Sequence, residues 1–115
     1  DGVTEIGFQA FSFCVNLTSV VIPNSVTTIG KSAFSSCTSL KIVTIPSSVT
    51  SIKPYAFVES PQLKNITFEG TKAQWDNINF GYAWNNTYSA ITLTCTQGTV
   101  DTTDDKTFTL EKFVN

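Results

Sequence analysis

The sequence contains no histidine, no methionine and, because all seven basic residues are lysine, no arginine. Without histidine the chain lacks the side chain that most often moves protons near neutral pH. Without arginine it lacks the planar fork that reads phosphate or guanine through two parallel hydrogen bonds. Seven lysines scattered among nine acids form no basic stripe, so no footprint for nucleic acid is present. Charged residues amount to only 14%. No apolar run approaches the roughly 20 residues of a membrane-crossing helix, so membrane insertion is not expected. The three cysteines show no C-x-x-C spacing and have no histidine to complete a metal set. No glycine-rich phosphate loop follows any apolar run. Together these absences predict a chain that is not an enzyme and carries no cofactor and no metal.

What is present is a length of 115 residues, enough for one domain, and 41% hydrophobic residues, too many for a disordered chain. Serine and threonine together number 30. A surface so rich in short hydroxyls fits an extracellular β-rich protein better than a cytosolic helical one. The net charge of -2 comes from the tail: residues 1–100 hold five lysines and five acids, and residues 101–115 hold two lysines and four acids. The chain opens directly into a repeat with no leader visible, as a mature product or a piece of something longer would.

Three segments, 3–25, 26–48 and 49–71, align without gaps. The first two agree at 13 of 23 positions, and all three keep Val, Thr, Ile, Ala, Phe and Leu at six of them. Examples are Ile6, Ile29 and Ile52, or Phe11, Phe34 and Phe57. The unit reads V-T-x-I-G-x-x-A-F-x-x-C-x-x-L-x-x-V-x-I-P-x-S. Its L-x-x-V-x-I stretch has leucine-rich-repeat spacing. The members are Leu17, Val20 and Ile22, then Leu40, Val43 and Ile45, then Leu63, Ile66 and Phe68. The last two of each set are two apart, as a strand with one buried face requires. Pro23 and Pro46 close these strands because proline donates no backbone hydrogen bond. A second short strand is predicted at Val-Thr-x-Ile, with Ala-Phe in a turn between the two. A single coil cannot bury its apolar row, but coils stacked at about 4.8 Å can.

These phrases resemble the BspA-like leucine-rich repeats. The resemblance is carried by Asn16-Leu17-Thr18-Ser19-Val20-Val21-Ile22-Pro23-Asn24-Ser25-Val26-Thr27-Thr28-Ile29-Gly30 and by Ser32-Ala33-Phe34-Ser35-Ser36-Cys37-Thr38-Ser39-Leu40. The stretch from Phe68-Glu69-Gly70-Thr71-Lys72-Ala73-Gln74-Trp75 through Cys95-Thr96-Gln97-Gly98 resembles the cap that closes such arrays, so that the likeness covers residues 3–100. It implies a surface protein of gut or oral bacteria or parasitic protists, used for adhesion and protein contacts, with no catalytic motif to carry over. Copy three departs from the pattern, with Lys53-Pro54 in place of Gly, Ser60-Pro61 in place of Cys, and Glu69-Gly70 in place of Pro-Ser.

The expected fold is α/β but mostly β. It is a right-handed leucine-rich-repeat solenoid of three 23-residue coils over residues 1–70, a C-terminal cap over 71–100, and a tail or start of a further segment over 101–115. Thr71-Lys72-Ala73-Gln74 reads as a capping box, starting a helix of about two turns that places Trp75 and Ile78 on one face. Tyr82 and Trp84 are read as members of a loop. Ala90 to Cys95 alternates and reads as a strand, and Thr107 to Leu110 as another.

Cys14 and Cys37, one repeat apart, are expected as stacked thiols and Cys95 as a buried one. Asp101, Asp104 and Asp105 read as a solvated turn, since the loop lacks the glycine and final glutamate of an EF-hand. The outward strand positions Ser19, Val21, Ile42, Thr44, Asn65 and Thr67 form the candidate partner-binding grid, on a concave sheet of the kind solenoids use for binding. Ser12 and Ser35 are taken to lie on the opposite, indifferent face. Trp75, Tyr82, Trp84 and Tyr88 are weighed as a sugar-stacking platform against a role in covering the core. Trp75 goes to the core, and Tyr82 and Trp84 stay as sugar-stacking candidates. The row Val3, Ile6, Phe11, Leu17, Val20 and Ile22 has no coil above it, so either upstream copies or self-association through the N-terminal end is expected. The favoured function is an extracellular or cell-surface adhesion module. Its expected partner is a host, neighbouring-cell or matrix protein. A carbohydrate-binding module and a structural spacer are the alternatives.

Overall fold

The computed structural model describes residues 2–85, 90–96 and 106–110. Two sheets run the length of a solenoid. The short one is built from β1 (Glu5–Ile6), β3 (Thr28–Ile29), β5 (Ser51–Ile52) and β7 (Asn79–Phe80), all parallel. The long one is built from β2 (Ser19–Val21), β4 (Ile42–Pro46), β6 (Asn65–Glu69) and β8 (Ile91–Cys95), also parallel, with β9 (Lys106–Leu110) added antiparallel to β8. The V-T-x-I and L-x-x-V-x-I stretches of each copy thus form the two strands of a coil, as their apolar spacing predicts.

Each sheet has four parallel rungs, so the solenoid makes about four turns where three were expected. The region read as a cap contains a turn of its own, and the repeat spacing changes there. Thr28 pairs with Ser51 at a separation of one repeat, but Ser51 pairs with Asn79, a step longer by five. That excess matches the length of helix α1 (Lys72–Asp76), inserted before β7. The stretch from β7 to β8 then gives one position back, so that Asn65 pairs with Thr92. The helix is shorter than the two turns expected. Ile78 lies beyond it, yet is still buried. Its capping box is complete: Thr71 Oγ1 accepts from the Gln74 amide at 3.1 Å, and Gln74 Oε1 accepts from the Thr71 amide at 2.9 Å.

The core lies between the sheets. Leu40, Val43, Ile45, Leu63, Ile66, Phe68, Ile91, Leu93 and Cys95 are fully or almost fully buried in it. A phenylalanine column closes one side. Phe11 and Phe34 stack with ring centres 5.2 Å apart and Phe34 and Phe57 with 5.3 Å, the rings nearly parallel. Between the strands the chain turns sharply. Gln9, Ser32 and Tyr55, and again Phe13, Ser36 and Glu59, hold positive φ at one-repeat intervals. Each left-handed residue costs about 1–2 kcal/mol. The turns are held by ladders between coils, in which the Phe11 amide donates to Ala33 O at 2.7 Å and the Phe34 amide to Ala56 O at 2.8 Å.

The abundant hydroxyls are part of this ladder. Ser48 Oγ donates to Val26 O at 2.7 Å, Ser25 Oγ to Val3 O, and Thr27 Oγ1 to Thr4 O at 3.2 Å. Ser12 Oγ donates to Ser32 O at 2.7 Å and shares a second 2.7 Å hydrogen bond with Ser35 Oγ. Ser35 is only 8% exposed and Ser12 is half-buried, so this pair is interior structure and not the indifferent outer surface expected for it. Among the described residues no buried side-chain nitrogen or oxygen lacks a hydrogen-bond partner.

The first coil also differs from its expected form. Val3 and Phe11 are exposed, but Ile6, Leu17 and Val20 are half-buried and Ile22 is 2% exposed. The Ile22 amide donates to Thr44 O at 2.9 Å, which holds its side chain against the core of coil two. No helix among the described residues is long and apolar enough to cross a membrane.

Candidate functional site

The outward face of the long sheet gathers the predicted grid. Register places Ser19 beside Ile42, Ile42 beside Asn65, and Asn65 beside Thr92. A second column runs Val21, Thr44, Thr67 and Thr94. On β9 the two columns continue as Thr109 and Thr107. Successive members stand about 4.8 Å apart, and the two columns are separated by one inward residue. Val21 is 73% exposed and Ile42 39%, while Ser19, Asn65 and Thr92 are exposed and Thr44, Thr67 and Thr94 half-buried. All six predicted residues therefore share one face. Thr92, Thr94, Thr107 and Thr109 extend it and were missed. The alternation in Thr92-x-Thr94 was visible, but its irregular offset from Asn65 hid its place in the grid.

No titratable group stands in these columns. Their chemistry is hydrogen bonding by hydroxyls and one amide, and apolar contact by Val21 and Ile42. Among the described residues no group of three or more cysteine or acidic side chains is close enough to hold a metal. Asp76 pairs with Lys72 at 2.8 Å on the exposed side of α1. Such a surface pair contributes less than about 1 kcal/mol.

The sugar-stacking candidates fall in two different settings. Trp84 is half-buried among Phe57 at 6.4 Å, Trp75 at 5.9 Å and Phe80 at 4.8 Å between ring centres. Its ring meets Phe57 edge-on and so ends the phenylalanine column. Tyr82 is 53% exposed and meets Tyr55 edge-on at 5.9 Å. The two belong to the corner of coil four and not to an irregular loop. The Tyr55 amide donates to Tyr82 O at 3.2 Å and the Phe57 amide to Trp84 O at 2.8 Å, continuing the ladder in which Ser32 bonds Pro54 and Phe34 bonds Ala56. Ala83 holds the positive φ that Ser32 and Tyr55 hold in the coils before it. Gly81 takes the place of Gly30. A β-carbon on Gly30 would strike the backbone of Ile6 and Gly7, and one on Gly81 would strike Lys53 and Pro54. Trp75 is 3% exposed against Phe68 at 5.3 Å, covering the core as expected. Tyr88 and the acidic run Asp101, Asp104 and Asp105 lie outside the described residues.

The three cysteines are free thiols. Cys37 is buried and donates from Sγ to Phe11 O at 3.1 Å. Burial pushes the thiols of Cys37 and Cys95 above the ordinary range, because the thiolate would lose its hydration. Low-pKa, exposed thiols are the reactive ones, so these two read as packing groups.

Comparison with known proteins agrees with this geometry. A solved crystal structure of a leucine rich cell surface protein from Faecalibacterium prausnitzii A2-165 superposes with a TM-score of 0.65 at 39% sequence identity. The match covers 66% of this chain and 20% of that one, so the chain spans about a fifth of the length of its neighbour. No curated protein matches the chain. The BspA type leucine rich repeat region, described as six copies, matches residues 4–112. With the repeat, the solenoid and this match in agreement, the chain belongs to the BspA-type leucine-rich-repeat family.

Proposed function

We propose that the chain is an extracellular or cell-surface adhesion module that holds a protein partner on the outward face of the long sheet. The carrying observation is the exposure of Val21 and Ile42 inside a neutral array of hydroxyls. Two large apolar side chains raised above a regular sheet favour contact with a matching protein surface. The family and the solved neighbour, itself a cell surface protein, support a surface interaction role. The family is non-enzymatic in kind, and the grid offers no acid or base for catalysis.

The test is retention on immobilised matrix and cell-surface proteins, with glycans immobilised in parallel. Retention on a protein that falls about tenfold with Val21→Glu supports the reading. Retention on neutral glycans that depends on Tyr82 and ignores Val21 would replace it with the carbohydrate-binding alternative. Tyr82 keeps that alternative alive because it stands exposed at the corner of coil four.

A further inference from the structure

Between its two strands, coil one bends through overlapping turns, in which the Ala10 amide donates to Gly7 O, the Ser12 amide to Gln9 O and the Cys14 amide to Phe11 O. The outward positions of this bend carry Phe8, Phe13 and Val15, which are 65%, 69% and 49% exposed. The repeat does not ask for them. The same positions hold Lys31, Ser36 and Thr38 in coil two and Pro54, Glu59 and Pro61 in coil three. They face sideways from the solenoid and not along its axis. Lys31 and Thr38 stay exposed although coil one is stacked on them, so a coil stacked on coil one would not cover Phe8 or Val15 either.

Phe13 adds a second oddity. It sits at φ 62, a left-handed conformation uncommon for a bulky side chain. Ser36 holds the same turn at φ 58, so the aromatic ring gives the bend nothing that a hydroxymethyl group does not. An exposed ring kept at a strained position where the local fold has no use for it points to contact with something outside the chain.

We propose that this lateral patch pairs with the same patch of a second copy about a two-fold axis. The area fits. Phe8, Phe13 and Val15 leave about 350 Å² of apolar surface in water, so two copies together offer about 700 Å². A specific interface of the smallest class buries about 1,200 Å² in all, a little over half of it apolar, which is the same amount. Charge fits as well. A two-fold contact sets each group near its own copy, so a patch pairs with itself without repulsion only when it is neutral. The exposed bend from Phe8 through Gln9 and Phe13 to Asn16 holds no charged residue. Lys31 and Glu59 replace Phe8 and Phe13 further along the solenoid, which confines the contact to coil one. The amide of Gln9, both donor and acceptor, suits bonding to its counterpart. The outward face of the long sheet takes no part in this contact.

The test combines sedimentation over a concentration series with backbone amide resonances followed on dilution of the isotopically labelled chain. The expected result is a monomer–dimer equilibrium that stops at two copies, with dilution shifts centred on Phe8, Gln9, Phe13 and Val15 and absent at Val21 and Ile42. Phe8→Lys with Phe13→Ser, which installs the residues of coil two, should move the midpoint at least about tenfold to higher concentration. Should that variant lose its dispersed spectrum, Phe8→Gln with Val15→Thr supplies the same comparison. A chain that stays monomeric throughout would overturn the proposal, as would undiminished pairing in the folded double variant. Pairing lost in Phe11→Lys but kept in Phe8→Lys with Phe13→Ser would overturn it too, because the contact would then lie along the solenoid axis.

Discussion

Ser60 repeats the hydrogen bond of Cys37 one coil later. Cys37 Sγ donates to Phe11 O at 3.1 Å, and Ser60 Oγ donates to Phe34 O at 3.2 Å. Both side chains are fully buried, with 0% exposure. A buried carbonyl left without its donor costs about 1–3 kcal/mol. Ser60→Ala should therefore lower unfolding stability by that amount in urea titration, while Ser60→Cys should lose less. Equal losses in the two variants would show that the donor is not what the site needs.

The thiols give a pH prediction. Burial raises the folded pKa of Cys37 and Cys95 above the unfolded value. The neutral thiol is thus favoured by folding. Its contribution is fully present below the unfolded thiol pKa and is lost as pH rises through the folded one. Stability should decline in the alkaline range, and the decline should shrink in a Cys37→Ser, Cys95→Ala variant. In a labelling experiment with a thiol reagent near neutral pH, the half-buried Cys14 should react first. Cys37 and Cys95 should react only as fast as the chain opens.

Trp84 stands where the phenylalanine column meets the aromatic cluster of Trp75 and Phe80. Trp84→Phe should preserve the column at small cost. Trp84→Ala should destabilise by about 3 kcal/mol, the low end for aromatic truncation because the ring is half-buried. Near-ultraviolet circular dichroism and thermal unfolding check both. A near-neutral Trp84→Ala would free Trp84 for the ligand role first weighed for it.

The partner face can be separated from the rest of the surface by charge. Val21→Glu with Thr44→Lys places opposite charges on one column of the grid, and partner retention should fall at least about tenfold with the fold intact. The matched control is Val15→Glu with Thr38→Lys, two exposed positions off the sheet and one repeat apart. Ser12 and Ser35 do not serve as that control, because their hydroxyls bond each other inside the coil. Equal loss from both charged pairs would exclude the outward grid as the binding face.

The outer side of coil one carries exposed Val3 and Phe11 above half-buried Ile6, Leu17 and Val20. We expect this chain to associate weakly through that side as concentration rises, and Phe11→Lys to suppress the association. Sedimentation across a concentration series measures it. A strictly monomeric chain at high concentration would remove the end-to-end reading.

The order of the residues alone determined the coil. Gapless recurrence of the V-T-x-I and L-x-x-V-x-I phrases located both strands of the first three turns, the Ala-Phe corner, the capping box at Thr71 and the outward grid. These features are local, because spacing by two and the chemistry of a helix start do not depend on distant partners. The fourth turn was decided in three dimensions. The insertion at α1, and the shorter stretch between β7 and β8, shift Tyr82, Ala83 and Trp84 out of the repeat frame. An alignment by period therefore reads a loop where stacking makes a corner. The same holds for burial. Whether Ser12 and Ser35 face water, or Ile22 is covered, depends on which atoms of the next coil lie within reach. That is settled by cross-coil packing and hydrogen bonding, which a strand's own alternation does not contain.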